Sequence, residues 1–206
     1  MKNLININLS LLLCLTSIAF SVHGQDSGTT DEGIVINGIR WATRNVDMPG
    51  TFTANPEDAG MFYQWNRYAG WSNNAPRVNS YGGNTWNGGE EPGETWIQET
   101  NPCPAGWRVP TEEEWRSLDS TSSSWGKKNG VSGRFFNAKN PIFLPAAGSR
   151  YYNAGTLYGV GSTGCYWSCT ISGTSAYSMN FGGTTVNPSS VSNRAYGFCV
   201  RCVADE

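Results

Sequence analysis

Two pairs of cysteines lie close together in the C-terminal part of this sequence. Cys165 and Cys169 fall in GCYWSCT, residues 164–170, and Cys199 and Cys202 fall in GFCVRCV, residues 197–203. Paired thiols bind soft metals, exchange electrons or staple a fold, and spacing helps to separate these uses. Tyr166, Trp167 and Thr170 favour an extended strand. In a strand, residues four apart face the same side and lie about 13 Å apart, whereas a disulfide needs Cα atoms within roughly 7 Å. From a straight strand, Cys165 and Cys169 can neither bond each other nor jointly hold one ion. Cys199 and Cys202, three apart, point to opposite faces and also need separate partners. With Cys103 they make a set that sequence alone could join into two bridges in about 15 ways.

Other catalytic chemistry finds little material. The single histidine is His23, in a segment that reads as a removable leader. Without it the chain lacks the usual general base and the Ser-His and Cys-His nucleophile pairs. Paired-carboxylate hydrolysis remains formally open, but the acids are few and concentrate in GGEEPGE, residues 88–94, and TEEEW, residues 111–115. No catalytic residue, metal-ligand set or cofactor is assigned, and the chain reads as a non-enzymatic protein. The formal net charge is −2, with no basic cluster larger than Lys127-Lys128, so nucleic acid is not an expected partner.

The chain is rich instead in rings, with nine tryptophans and nine tyrosines. Trp107, Trp115 and Trp167 read as core. Trp71, Trp86, Trp96, Tyr151 and Tyr152 are the candidates for a ligand-binding surface, of the apolar kind on which sugars stack. The expected partner is an extracellular glycan or protein. Calcium-dependent sugar binding has no support, because neither an E-P-N nor a W-N-D motif is present, and WNGGEEPG, residues 86–93, holds similar letters in another order.

The elements that must position these residues begin after the leader. Lys2, the apolar run from Leu9 to Phe20 and the small residues before Gln25 read as a signal peptide over residues 1–24. The run is too short for a comfortable membrane-spanning helix, which needs about 20 residues, and Leu13 before Cys14 argues against a lipid anchor. The protein is therefore expected to be exported, with no transmembrane segment in the mature chain. Residues 25–33 read as a flexible tether and residues 34–206 as one domain. Asn37-Gly38 between apolar runs predicts a tight hairpin. Alternation in residues 61–66 predicts a strand through Trp65. Residues 71–99 form a long aperiodic loop, a common place for a binding site. Thr111 with Glu114 makes a capping box after Pro110, so a helix starts there and docks through Trp115. Strand-sized runs separated by Gly, Asn and Ser follow. The resulting fold class is α+β, with short antiparallel strands, one capped helix and long loops.

INGIRWATRNV, GMFYQWN, NPCPAGWRVPTEEEW, FLPAAGSRY, GCYWSCT and GFCVRCV occur in this order. Together they resemble the Fibrobacter succinogenes major paralogous domain family of secreted bacterial proteins, over roughly residues 33–204. The resemblance implies a C-type-lectin-like fold and an exported or cell-surface protein, and implies no activity. It also implies a disulfide between Cys103 and Cys202, which match the family's P-C-P-x-G-W-R and V-R-C-V cysteines. Cys169 and Cys199 stand where the family pattern has serine. This paired departure suggests a second bridge between them, with Cys165 left as a free thiol. GWRVPTEEEW is also similar to a segment of formylglycine-generating enzymes, which bind copper through a cysteine pair. That resemblance implies a copper-dependent oxidase as an alternative, although the spacing of Cys165 and Cys169 departs from the enzymes' pair. A structural subunit of a surface assembly or adhesin is a further alternative.

Overall fold

The computed structural model describes residues 28–89 and 93–205. The expected leader, with Cys14 and His23, and the acids Glu90 and Glu91 lie outside the described residues. Residues 28–33, read from the sequence as tether, are held against the body of the protein. Asp31 accepts hydrogen bonds from the Thr43 N–H and hydroxyl and from Arg44 Nε, the last a 3.2 Å ion pair.

The chain begins with an antiparallel hairpin, β1 (Ile34–Ile36) and β2 (Ile39–Asn45). Asn37 and Gly38 turn it with φ of 52° and 84°, the left-handed pair that a type I′ turn requires. Two short strands follow, β3 (Phe62–Tyr63) and β4 (Gly70–Trp71). The strand expected through Trp65 stops at Tyr63, and Asn66 adopts a φ of 56°. After the long loop come β5 (Trp107–Arg108) and α1 (Glu112–Asp119). A meander of β6 (Ser123–Lys128), β7 (Val131–Phe136) and β8 (Ile142–Pro145) leads to the small hairpin β9 (Ser149–Arg150) and β10 (Leu157–Tyr158). A second meander, β11 (Gly164–Ser172), β12 (Ser175–Phe181) and β13 (Val186–Ser192), precedes β14 (Arg201–Ala204). The final strand inserts between β2 and β5, giving a sheet of order β1-β2-β14-β5.

The expected α+β, C-type-lectin-like class is corrected by this architecture. Every strand pairing within the sheets is antiparallel, and α1 is the one α-helix among the described residues. The protein is β-rich. A capping box makes a helix conspicuous in sequence, but this one covers only eight residues. Most of the chain alternates strand-sized runs with Gly and Asn turns, and those runs zip locally into hairpins and meanders.

Buried indoles tie the layers together. Trp41 and Trp115 pack with ring centroids 4.8 Å apart. Trp115 Nε1 donates to Trp167 O, Trp167 Nε1 to Tyr63 O and Trp65 Nε1 to Ser168 O. Trp107, Trp115 and Trp167 are all buried. Arg201, fully buried, donates to Asn45 Oδ1, Ala42 O and Phe143 O, joining β2 to β8. Burial pulls its pKa down to about 10, and these acceptors satisfy the guanidinium inside the protein.

Candidate functional site

The β9–β10 hairpin projects two adjacent tyrosines. Its tip is fixed by the Tyr151 N–H donating to Thr156 O and the Gly155 N–H to Tyr151 O. Arg150 holds the base from inside: its guanidinium donates to Ser72 O, Gly155 O, Ser72 Oγ and Asn74 O. Burial, then the nearby Arg77 charge, lowers its pKa to about 10. The backbone of Arg150 exchanges two hydrogen bonds with Gly197, which brings Tyr196 beside the hairpin.

The result is a three-tyrosine cluster. Ring centroids are 4.7 Å apart for Tyr151–Tyr152, 5.4 Å for Tyr151–Tyr196 and 5.3 Å for Tyr152–Tyr196. Tyr196 also stacks on Phe198 at 5.3 Å. Hydrogen bonding with Tyr151 raises the Tyr152 pKa. Burial, with the neighbouring Tyr151, raises that of Tyr196. A tyrosine hydroxyl can both donate and accept. Tyr151 is exposed and Tyr152 and Tyr196 are half-buried.

The three candidate tryptophans do not form this surface. Trp71 and Trp96 are buried, because the long loop folds its rings inward. Trp71 sits in β4 opposite Phe62. Trp96 packs on Trp65 at 5.7 Å, and its Nε1 donates to Thr100 O. Trp86 is half-buried, 5.0 Å from Trp71, and its Nε1 donates to Tyr152 O at 2.7 Å. It braces the tyrosine hairpin from below. Sequence reasoning passed over Tyr196, whose part depends on pairing between Arg150 and Gly197, 47 residues apart in the numbering.

At the base of the β9–β10 hairpin, where Ser149 pairs with Tyr158, a groove of about 280 Å³ lies over the second meander, lined by Tyr158, Thr163, Cys165, Asn180, Asn187 and Ser190 among others.

The cysteines resolve as follows. Cys103 and Cys202 are bonded, with Cα atoms 6.1 Å apart. The expected Cys169–Cys199 bridge is corrected, because both are free thiols, as is Cys165. Register is the reason. Cys199 pairs with Tyr166 in a parallel bridge, so Cys169 lies three residues, or about 10 Å, further along the strand. Cys199 Sγ donates to Ala59 O, while the Cys169 N–H bonds Pro110 O. The copper-pair arrangement does not fit either. Cys165 lines the groove and Cys169 a separate pocket with Trp96, Arg108 and Asp205. Burial pushes the two thiols up to about 12 and about 11, so both are protonated at neutral pH.

A protein-family model described as a domain of unknown function (DUF8237) matches residues 135–203. No curated protein and no solved structure gives a match. The matched segment carries the tyrosine hairpin, Tyr196 and every residue lining the groove, and leaves out Cys103, α1 and the long loop. Among the described residues no helix is long and apolar enough to cross a membrane.

Proposed function

We propose that this protein is an exported, non-enzymatic binding module that presents a tyrosine platform to an extracellular glycan or protein. One observation carries the reading: Tyr151, Tyr152 and Tyr196 come from two distant segments and meet at the surface. Tyrosine joins a flat apolar ring to a hydrogen-bonding tip and suits interfaces that are half wet. The platform is rigidly backed, with Arg150 and Trp86 holding the hairpin through bonds to main-chain carbonyls. A preorganised surface binds at lower entropic cost than a mobile one. The absence of any histidine other than His23 also favours binding over acid–base catalysis.

A glycan array probed with the purified protein, followed by the Tyr151→Ala/Tyr152→Ala double variant, tests this. The expected result is a defined set of bound glycans whose signal drops at least tenfold in the double variant while the far-ultraviolet spectrum is unchanged. Extracellular protein candidates are probed with the same pair. Binding that survives loss of both rings would place the interface elsewhere.

A further inference from the structure

The tyrosine cluster is also arranged for covalent chemistry between its own rings. The bridge between Arg150 and Gly197 is antiparallel and carries two backbone hydrogen bonds. One residue further along, this register sets Tyr151 opposite Tyr196, in the closer kind of cross-strand pair whose side chains meet. Their rings are 5.4 Å apart, and Tyr152 completes the triangle at 5.3 Å from Tyr196. Such separations are those of aromatic rings in contact. The hydroxyl ends converge too, since that of Tyr151 interacts with both Tyr152 and Tyr196. Both sides are held in place. The Tyr151 N–H bonds Thr156 O, the Tyr196 N–H bonds Asn193 O, and the Tyr196 ring stacks on Phe198.

We propose that Tyr196 and the hairpin tyrosines, Tyr151 foremost, are a site of oxidative cross-linking that forms a dityrosine under a one-electron oxidant, such as a haem peroxidase with hydrogen peroxide. Each phenol gives up one electron and its hydroxyl proton, which leaves unpaired spin on the ring carbons next to the C–O carbon. Two such radicals join through one carbon–carbon bond. The hydrogens on the two joined carbons then move to the oxygens and restore both phenols. Two electrons and two protons leave the protein, and together they reduce one hydrogen peroxide to two waters. The bond fastens the β9–β10 hairpin to the segment that precedes β14. Exposure alone would select other residues, because Tyr81 and Tyr158 are 70% and 69% exposed against 37% for Tyr151. Among the described residues, however, the tyrosine–tyrosine ring contacts all lie within the cluster. Radicals on Tyr81 or Tyr158 therefore have no partner ring at hand in the same molecule. The proposal goes beyond the binding function and stands on the arrangement of the rings, whatever they bind.

Dilute purified protein treated with hydrogen peroxide and a haem peroxidase provides the test, read by dityrosine fluorescence, denaturing electrophoresis and peptide mapping. The expected product is a monomer lighter by two hydrogens, in which the peptide carrying Tyr196 is joined to the one carrying Tyr151 and Tyr152. Tyr196→Phe keeps a ring on Phe198 but has no hydroxyl to oxidise, and it should lower the fluorescence of the monomer at least tenfold. The double variant Tyr81→Phe/Tyr158→Phe should leave that fluorescence unchanged. Mapping of the parent needs no variant, so the test stands if Tyr196→Phe fails to fold. Cross-links found only between molecules, a bond confined to Tyr151 and Tyr152, a monomer signal that persists in Tyr196→Phe, or oxidation confined to the free thiols each overturns the proposal.

Discussion

Glu114 accepts from three donors at the start of α1. Arg108 donates through Nη1 at 2.9 Å and Nη2 at 2.7 Å, and the Thr111 N–H donates at 2.7 Å. Thr111 Oγ1 returns a bond by accepting from the Glu114 N–H, which completes the capping box. Burial alone would raise the carboxyl pKa, but the Arg108 and Thr111 bonds outweigh it and hold the pKa below the usual glutamate range. A depressed folded-state pKa gives stability that is present above the unfolded value, about 4.3, and is lost as pH falls through the folded value. Glu114→Gln should therefore cost about 1 kcal/mol at neutral pH and lose that cost in acid. Urea unfolding of parent and variant from pH 7 down to pH 3 checks this. A stability gap that stays constant across the series would count against Glu114 as its source.

At the scale of elements, β11 organises the molecule and makes the groove. It pairs with β12 from Gly164↔Phe181 to Ser172↔Ser175, with a break in register between Trp167 and Ile171. Gly164 matters for close approach: a Cβ placed there would sit 2.1 Å from Phe181 Cζ. The Phe181 ring lies over the bare backbone of its partner and packs with Tyr166 at 5.9 Å and Phe136 at 6.1 Å. Gly164→Ala must displace that ring, and overpacking of this kind costs about 1–3 kcal/mol. Thermal and urea unfolding should show the loss. A Gly164→Ala variant as stable as the parent would mean that the ring has room to move. What was legible in the sequence at this scale was local. The Asn37-Gly38 turn and the Thr111 cap depend on residues within four positions, and their chemistry is written in them. A second left-handed pair, Asn129 and Gly130 at φ of 48° and 85°, turns β6 into β7 and carries the same signal. Strand register was not legible. The proposed Cys169–Cys199 bridge needed Cys199 opposite Cys169, whereas the bridge pairs it with Tyr166. Ring exposure was not legible either, because Trp71 and Trp96 are covered by Phe62 and Trp65 from earlier in the chain.

At the scale of the whole molecule, the last strand closes the fold against the N-terminal hairpin. β14 lies between β2 and β5 and pairs Val203 with Trp41 and with Arg108. The Cys103–Cys202 bond fastens the approach to β5 onto this last strand across 99 residues. In the folded protein the bond is partly redundant, because the β14–β5 pairing already holds the same two segments together. Its effect therefore falls mainly on the unfolded chain, whose freedom it removes by closing a large loop. The chain-entropy model gives about 4.7 kcal/mol for a loop of roughly 100 residues. That is a large share of the roughly 5–15 kcal/mol typical of a whole domain. The double variant Cys103→Ser/Cys202→Ser should lose about 4–5 kcal/mol in urea unfolding while keeping the native near-ultraviolet spectrum in water. Parent protein unfolded in the presence of a reductant should track the variant. Non-reducing peptide mapping should find this crosslink, with Cys165, Cys169 and Cys199 as thiols. Burial raises the pKa of all three, so they should alkylate slowly until the protein unfolds. A loss below about 1 kcal/mol would show that the β14–β5 pairing already restrains the unfolded ensemble. A Cys165–Cys169 crosslink would overturn the extended geometry of β11.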